Sequence, residues 1–174
     1  MSTGQIFPNF NSKFMERILG VDPGINITGF CILDTNYRRT KLHAYGTIRP
    51  KIKDETPKKL LYLFDEMNAI LKRFSPSILA IEDVFYSKNI KSAMTLGHAR
   101  GALILSAAKS GLKIYEFAPR KVKMSVTGSG AASKEQISYM VSKILNLDEM
   151  LKPMDISDAI AVGLCFINQN KYLW

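Results

Sequence analysis

The sequence predicts an α/β domain, in which a five-stranded mixed sheet carries helices on both faces. Three observations predict this class. Strand-like segments come first, a helix and a strand then alternate twice, and helical segments close the chain. Such an order is typical of a sheet with helices packed on each side. At 174 residues, the chain is long enough for one domain with a substantial core.

The first part of the chain predicts three strands in a meander. Residues 17–22 are a short apolar run that ends at Asp-Pro-Gly, which is typical of a buried strand followed by a turn. Residues 27–34 and 41–49 mix β-branched and aromatic residues between turn signals. Residues 1–16 are a polar extension without the basic and apolar regions of a secretory signal. We therefore expect a single domain over residues 17–174.

The middle of the chain alternates between helix and strand. Residues 54–73 place apolar side chains at helical spacing until a Ser-Pro pair stops the helix. Residues 77–83 form a continuous apolar run, the pattern of a strand covered on both faces. Residues 89–111 predict a long helix rich in Ala, Gly and Ser, and residues 112–119 predict the fifth strand.

Three helices are predicted near the end of the chain. The first is short and covers residues 120–127. The second follows Ser133, whose spacing from Gln136 is that of a capping box. The third starts at Asp155 and is apolar over most of its surface, so we expect it to be buried.

Composition favours a polyanionic partner. The formal net charge is +9, and the basic residues concentrate in three separate blocks, residues 37–41, 49–59 and 119–123. No apolar stretch is long enough to span a membrane. The two cysteines are far apart and lack zinc-type spacing, so the simplest expectation is a reduced, cytoplasmic protein. A basic protein with an ordinary solvated surface is the alternative.

Four acidic residues stand where the predicted fold would gather them. Asp22 and Glu82 end two strands, and Asp155 and Asp158 open the last helix three residues apart. Each has an ordinary explanation, as a turn residue, a strand end or a helix cap. Together, however, oxygen ligands without His or Cys suit Mg²⁺ or Mn²⁺. A positive protein with such a pocket is suited to two-metal phosphodiester hydrolysis.

Four segments resemble the RuvC family of bacterial Holliday-junction resolvases. They are "ILGVDPGINITGF", "AIEDVFYSKNIKSAMTLGHARG", "APRKVKMSVTGSGAASKEQISYMV" and "MDISDAIAVGL", in the order of the family. The resemblance implies a ribonuclease H-like fold, a homodimer and metal-dependent nicking of four-way DNA junctions during recombination and repair. It also implies a bacterial, nucleoid-associated location and a branch-migration motor of the RuvA and RuvB type as partner.

The resemblance assigns roles position by position. Two Mg²⁺ ions, with Mn²⁺ as a substitute, would be held by the four acids and bridged mainly by Asp22. Lys134 matches a lysine that is needed near the active site. The DNA-binding candidates are Phe85, which matches an aromatic residue that meets bases near the junction centre, Lys123, and its neighbour Arg120. We expect hydrolysis that leaves 5′-phosphate and 3′-hydroxyl ends.

Alternative functions remain open from the residues alone. The segment "DPGINITG" also resembles the first phosphate loop of actin-like ATPases, although 174 residues leave no room for their second domain. A non-catalytic junction-binding module would use the acids only as turns and caps. A ribonuclease H-like RNA-processing nuclease would share the acids. Asp83, where the family often has an amide, could point toward the pocket or away from it.

Overall fold

A computed structural model describes residues 5–6, 15–83 and 90–170. These residues form six strands and five helices. The strands are β1 (Gln5–Ile6), β2 (Glu16–Asp22), β3 (Thr28–Thr35), β4 (Thr40–Ile48), β5 (Ile78–Glu82) and β6 (Lys113–Phe117). The helices are α1 (Thr56–Phe74), α2 (Ile90–Lys109), α3 (Pro119–Thr127), α4 (Lys134–Ile144) and α5 (Met154–Asn170).

All six strands belong to one mixed sheet in the order β1-β4-β3-β2-β5-β6. The meander β2–β4 is antiparallel, whereas β5 runs parallel to both β2 and β6. The predicted five-stranded mixed sheet is therefore confirmed, as is the ribonuclease H-like arrangement. The two-residue strand β1 is an addition, since it lies within the segment predicted as a polar extension and pairs with β4.

Each face of the sheet carries its own hydrophobic core. The helices α1 and α2 pack on one face, around side chains such as Leu19, Val21 and Ile81. The helices α3, α4 and α5 pack on the other, where Ile18, Ala80 and most of α5 are buried. Alternate residues of a strand point to opposite faces, so β2 and β5 serve both cores. The prediction of helices on both faces is confirmed.

Candidate active site

The two strand-end acids lie side by side at the carboxyl edge of the sheet. β2 and β5 pair in parallel up to Val21 and Ile81, so the next residues along the two strands are Asp22 and Glu82. Neighbouring strands are about 4.8 Å apart, which brings the two residues close together. Asp22 lies two residues after Gly20, so its side chain projects from the sheet face that carries α5.

Three glycines allow α5 to approach this face closely. A Cβ atom at Gly20 would lie 2.4 Å from the backbone oxygen of Ala159, and one at Gly163 would lie 2.7 Å from Leu33 Cδ1. A Cβ atom at Gly29 would lie 2.0 Å from the backbone oxygen of Asp155. Gly29 is the cross-strand partner of Asp22. The glycines thus place the start of α5 directly over the strand that carries Asp22.

The start of α5 brings in the other two acids. Asp155 lies in the first turn of the helix, and Asp158 follows one turn later. Asp158 forms an ion pair with Lys134, with 2.9 Å between Oδ2 and Nζ. The carboxylate of Asp158 is mostly buried, at 14% exposure, whereas Lys134 is 58% exposed. Four segments that are distant in sequence therefore converge on one pocket.

The pKa values of the two strand-end acids show how strongly these charges interact. Burial, followed by repulsion from Glu82 and Asp158, raises the pKa of Asp22 to about 8. Burial and repulsion from Asp158 raise the pKa of Glu82 to about 7, although a hydrogen bond with Asp22 and the nearby lysines oppose the shift. Asp155 makes the smallest contribution to the pKa shift of Asp22. Such crowded carboxylates stay ionised at neutral pH only if a cation joins them.

Lys134 supplies one positive charge to this cluster. Its hydrogen bond to Asp158 raises the pKa of the ammonium group, so Lys134 is charged at neutral pH. Within residues 15–83 and 90–170, no three His, Cys, Asp or Glu side chains are already arranged to hold a metal ion. Instead, Asp158 pairs with Lys134, while Asp22 and Glu82 lie side by side at the ends of two paired strands. The donor set itself fits a hard divalent cation, because it offers only carboxylate oxygens with too little positive charge among them.

A capped helix and a short loop set the position of Lys134. The predicted capping box is confirmed. Ser133 Oγ accepts a hydrogen bond from the backbone N–H of Gln136, and Gln136 Oε1 accepts one from the backbone N–H of Ser133. Lys123 Nζ donates to the carbonyl oxygen of Ala132 across 2.9 Å. Lys123 is also close enough to Glu82 to lower the pKa of that acid. Lys123 therefore belongs to the rim of the pocket.

The remaining DNA-binding candidates are placed unequally. Arg120 is exposed, and its aliphatic chain lies over Gly130, 2.6 Å from where a Cβ atom of that glycine would be. Phe85 lies outside the described residues. Asp83 points away from the pocket. Its Oδ1 lies 3.4 Å from Nη2 of Arg100, a residue of α2, and α2 packs on the opposite face of the sheet from α5.

Two of the three basic blocks share the pocket's end of the sheet. Residues 49–59 follow β4, whose last residue, Ile48, pairs with Thr28 near the start of β3. Residues 119–123 follow β6 beside Glu82. Residues 37–41 lie at the opposite end, because they join the end of β3 to the start of β4. The predicted basic face therefore uses only two of the blocks.

Sequence reasoning missed two contacts at this edge. Thr28 Oγ1 donates to the carbonyl oxygen of Gly24 and accepts from its amide, which closes the turn after Asp22. Arg100 Nε donates to the backbone oxygen of Glu82 across 3.2 Å. The spacing of Thr28 after the Asp-Pro-Gly turn was a usable signal, whereas nothing local to Arg100 indicates its partner.

In the described part of the chain, no helix is long and apolar enough to cross a membrane.

Comparison with known proteins agrees with this geometry. The family model for crossover junction endodeoxyribonuclease RuvC matches residues 18–166. The RuvC protein of Finegoldia magna is 42% identical to this chain, in an alignment that covers 90% of this chain and 95% of the relative. The RuvC protein of Caldicellulosiruptor saccharolyticus is 43% identical, with 87% of this chain and 92% of the relative covered.

A solved structure shows the same fold. The structure of Thermus thermophilus RuvC in complex with a Holliday junction substrate superposes with a TM-score of 0.83 and 26% identity, covering 90% of this chain and 96% of that one. The family match extends from β2 through most of α5 and so includes the elements that carry all four acids. This chain belongs to the RuvC family of crossover junction endodeoxyribonucleases.

Proposed function

We propose that this chain resolves four-way Holliday junctions by paired, symmetric, metal-dependent nicks that leave 5′-phosphate and 3′-hydroxyl ends. One observation carries the proposal: Asp22, Glu82 and Asp158 come from three elements and repel one another around Lys134. This acidic pocket opens at the end of the sheet where two basic blocks lie, which is suited to a polyanionic substrate that is cut at one phosphate. The Holliday junction bound to the Thermus thermophilus relative supports the same substrate.

The four acids are the proposed metal ligands. Asp22 lies between Glu82 and the start of α5, so it is the acid best placed to serve two Mg²⁺ ions, with Mn²⁺ as a substitute. When bound, the ions supply activation of a water molecule and stabilisation of the leaving oxygen. Before metal binds, Asp22 and Glu82 hold at least one proton between them at neutral pH. A metal ion held by these carboxylates would require that proton to leave, and it would compete with Lys134 for Asp158.

The lysines act on the phosphate and on the loop. The Nζ of Lys134 is held by Asp158, and the lysine side chain is 58% exposed, so we expect it to reach a scissile phosphate at the pocket mouth. A fixed cation placed where negative charge develops stabilises the transition state. Lys123 keeps the loop before Lys134 in place through Ala132, and with Arg120 it adds positive charge along the path of the DNA backbone. Phe85 is proposed to stack on a base near the junction centre.

The exposed face of α2 is the proposed homodimer surface. The side chains of Ile90, Met94 and Leu105 are 74%, 59% and 62% exposed, and they follow one stripe along the helix. Gly97 and Gly101 lie between them, and apart from the adjacent residues and backbone of α2 itself, no described heavy atom comes within 4 Å of an added Cβ atom at either glycine. An open apolar stripe with small residues at its centre lets two helices approach closely. A two-fold dimer presents two identical sites to a four-way junction, from which paired nicks follow.

The wider setting follows from family membership. We assign residues 17–174 to the nuclease domain, after an extension of residues 1–16 that contributes β1 and the first residue of β2 to the same sheet. A branch-migration motor of the RuvA and RuvB type would deliver the junction, in a cytoplasmic, nucleoid-associated complex.

A nicking assay tests this function. Purified protein is incubated with a mobile synthetic four-way junction and Mg²⁺, alongside linear duplex and an RNA–DNA hybrid. We expect symmetric paired nicks in the junction only, with loss of cleavage in Asp22→Asn and after chelation. Cleavage confined to the hybrid would favour the RNA-processing alternative. Junction binding without any metal-dependent cleavage would favour the non-catalytic module.

A further inference from the structure

Arg100 connects α2 to the strand ends beneath the acidic pocket. Its Nε donates to the backbone oxygen of Glu82 across 3.2 Å, and its Nη2 forms ion pairs with Asp83 and Glu116. The side chain is only 15% exposed, and Nη2 is shielded from solvent and has charged neighbours but no hydrogen-bond partner among the described residues. One guanidinium group therefore contacts the last residue of β5, the residue after it, and the penultimate residue of β6.

This arrangement lies on the opposite side of the sheet from the pocket. Asp83 and Glu116 reach the α2 face, whereas Glu82 directs its side chain to the α5 face. The backbone of Glu82 is thus held from behind, while its carboxylate faces the pocket. A second hydrogen bond, from the Asp83 amide to the Phe117 carbonyl across 2.9 Å, ties β5 to β6 at the same point.

Stability alone does not explain a buried arginine here. The guanidinium group is mostly buried, but Asp83 and Glu116 are 53% and 52% exposed, so water screens these ion pairs and they bring little net stability. A planar guanidinium group with several fixed donors is, however, well suited to holding three groups in one geometry. We propose that Arg100 is a positioning residue that fixes the end of β5, and through it the Glu82 carboxylate, for metal binding. This inference rests on the proposed function, in which Glu82 is a metal ligand.

The chain provides a matched control in Arg17. This residue is also a partly buried arginine with an acid and a backbone oxygen as partners, since it binds Asp34 through two nitrogens and donates to the carbonyl of Phe74. It lies near the start of β2, at the opposite end of the sheet from Asp22. An Arg17→Gln variant loses a comparable network without touching the pocket.

The experiment measures metal binding apart from cleavage. Mn²⁺ is titrated calorimetrically into DNA-free wild type, Arg100→Gln and Arg17→Gln, and the thermal midpoint of each is recorded. Residues that orient metal ligands typically alter metal affinity by about 10- to 100-fold. We expect a loss in that range for Arg100→Gln and less than threefold for Arg17→Gln. Arg100→Lys keeps the charge and most of the volume, so it replaces Arg100→Gln in the titration if that variant does not fold. We expect Mn²⁺ affinity to fall at least tenfold in Arg100→Lys as well.

A double-mutant cycle adds a second readout. Single-turnover nicking of the junction is compared for Arg100→Gln, Glu82→Gln and the double variant. If Arg100 acts through Glu82, adding Arg100→Gln to Glu82→Gln lowers the nicking rate by less than threefold. Arg17→Gln is expected to change the nicking rate by the same factor in wild type and in Glu82→Gln. Wild-type Mn²⁺ affinity in folded Arg100→Gln or Arg100→Lys, or additive effects in the cycle, would overturn the inference. A wild type that binds Mn²⁺ but leaves the junction intact would instead refute the proposed function, and the Mn²⁺ titration would still decide the role of Arg100.

Discussion

Substitution of Gly29 by alanine should move the proposed metal site without changing any of its proposed ligands. The new Cβ atom would lie 2.0 Å from the Asp155 oxygen and 2.6 Å from its carbonyl carbon, whereas real Cβ contacts below 3.0 Å essentially never occur. The obstacle is helix backbone, so the start of α5 must withdraw by about 1 Å. A displacement of about 1 Å at a catalytic site can cost about 100-fold in rate. Overpacking also typically destabilises a protein by about 1–3 kcal/mol.

The assay pairs this variant with Gly163→Ala. At Gly163 the added Cβ atom meets Leu33 Cδ1 at 2.7 Å, the end of a flexible side chain on the same helix–sheet interface. Urea unfolding, Mn²⁺ titration and single-turnover nicking are measured for both variants. We expect Gly29→Ala to fold and to lose about 100-fold in nicking rate, with weakened Mn²⁺ binding, and Gly163→Ala to stay within about threefold of wild type because Leu33 can move. Full activity and Mn²⁺ affinity in Gly29→Ala would refute the claim that the close approach of α5 sets the pocket.

Three further predictions concern the pocket and the proposed dimer surface. In metal-free protein, Asp22 and Glu82 stay protonated in the folded state at pH values where the unfolded chain has ionised them. The free energy of unfolding should therefore fall as pH rises from about 4 toward 8, by up to about 1.4 kcal/mol per pH unit for each extra proton that the folded state holds. Urea titrations should show a flatter pH dependence for Asp22→Asn than for wild type. An identical slope in the two proteins would contradict the assignment. Lys134→Ala should reduce the single-turnover nicking rate by about 100- to 1,000-fold. Its affinity for the junction, measured by gel shift without metal, should fall by less than tenfold. A nicking rate near that of wild type would exclude a role of Lys134 at the phosphate. Leu105→Glu places a charge on the exposed α2 stripe and should yield folded monomers in sedimentation, with uncoupled nicks, whereas an intact dimer would exclude that surface.

Much of the fold could be predicted from the sequence because the signals are local. Apolar periodicity distinguished strands from helices, and the Ser133–Gln136 spacing located the start of α4 to the residue. The position of the acids could be anticipated as well. Asp22 and Glu82 each end a buried strand, and strands that run parallel bring their carboxyl ends to one edge.

Other features depend on contacts that no local pattern reports. The close approach of α5 depends on Gly29 in one strand and the Asp155 backbone, which are far apart in sequence. The orientation of Asp83 depends on Arg100, which is supplied by a different helix. The strand β1 is two residues long and too short to show periodicity, so it was predicted only as part of an extension. The distribution of the basic blocks required the sheet order, which places residues 37–41 away from the pocket.

Anomalous diffraction from crystals soaked in Mn²⁺ tests the central claim most directly. If carboxylates from β2, β5 and α5 converge to hold the catalytic ions, two manganese peaks will lie beside Asp22, with oxygens of Glu82 and Asp158 completing the ligand sets. Crystals of Asp22→Asn should lose at least one peak. Wild-type crystals in which manganese binds elsewhere, and leaves the Asp158–Lys134 pair intact, would contradict the account.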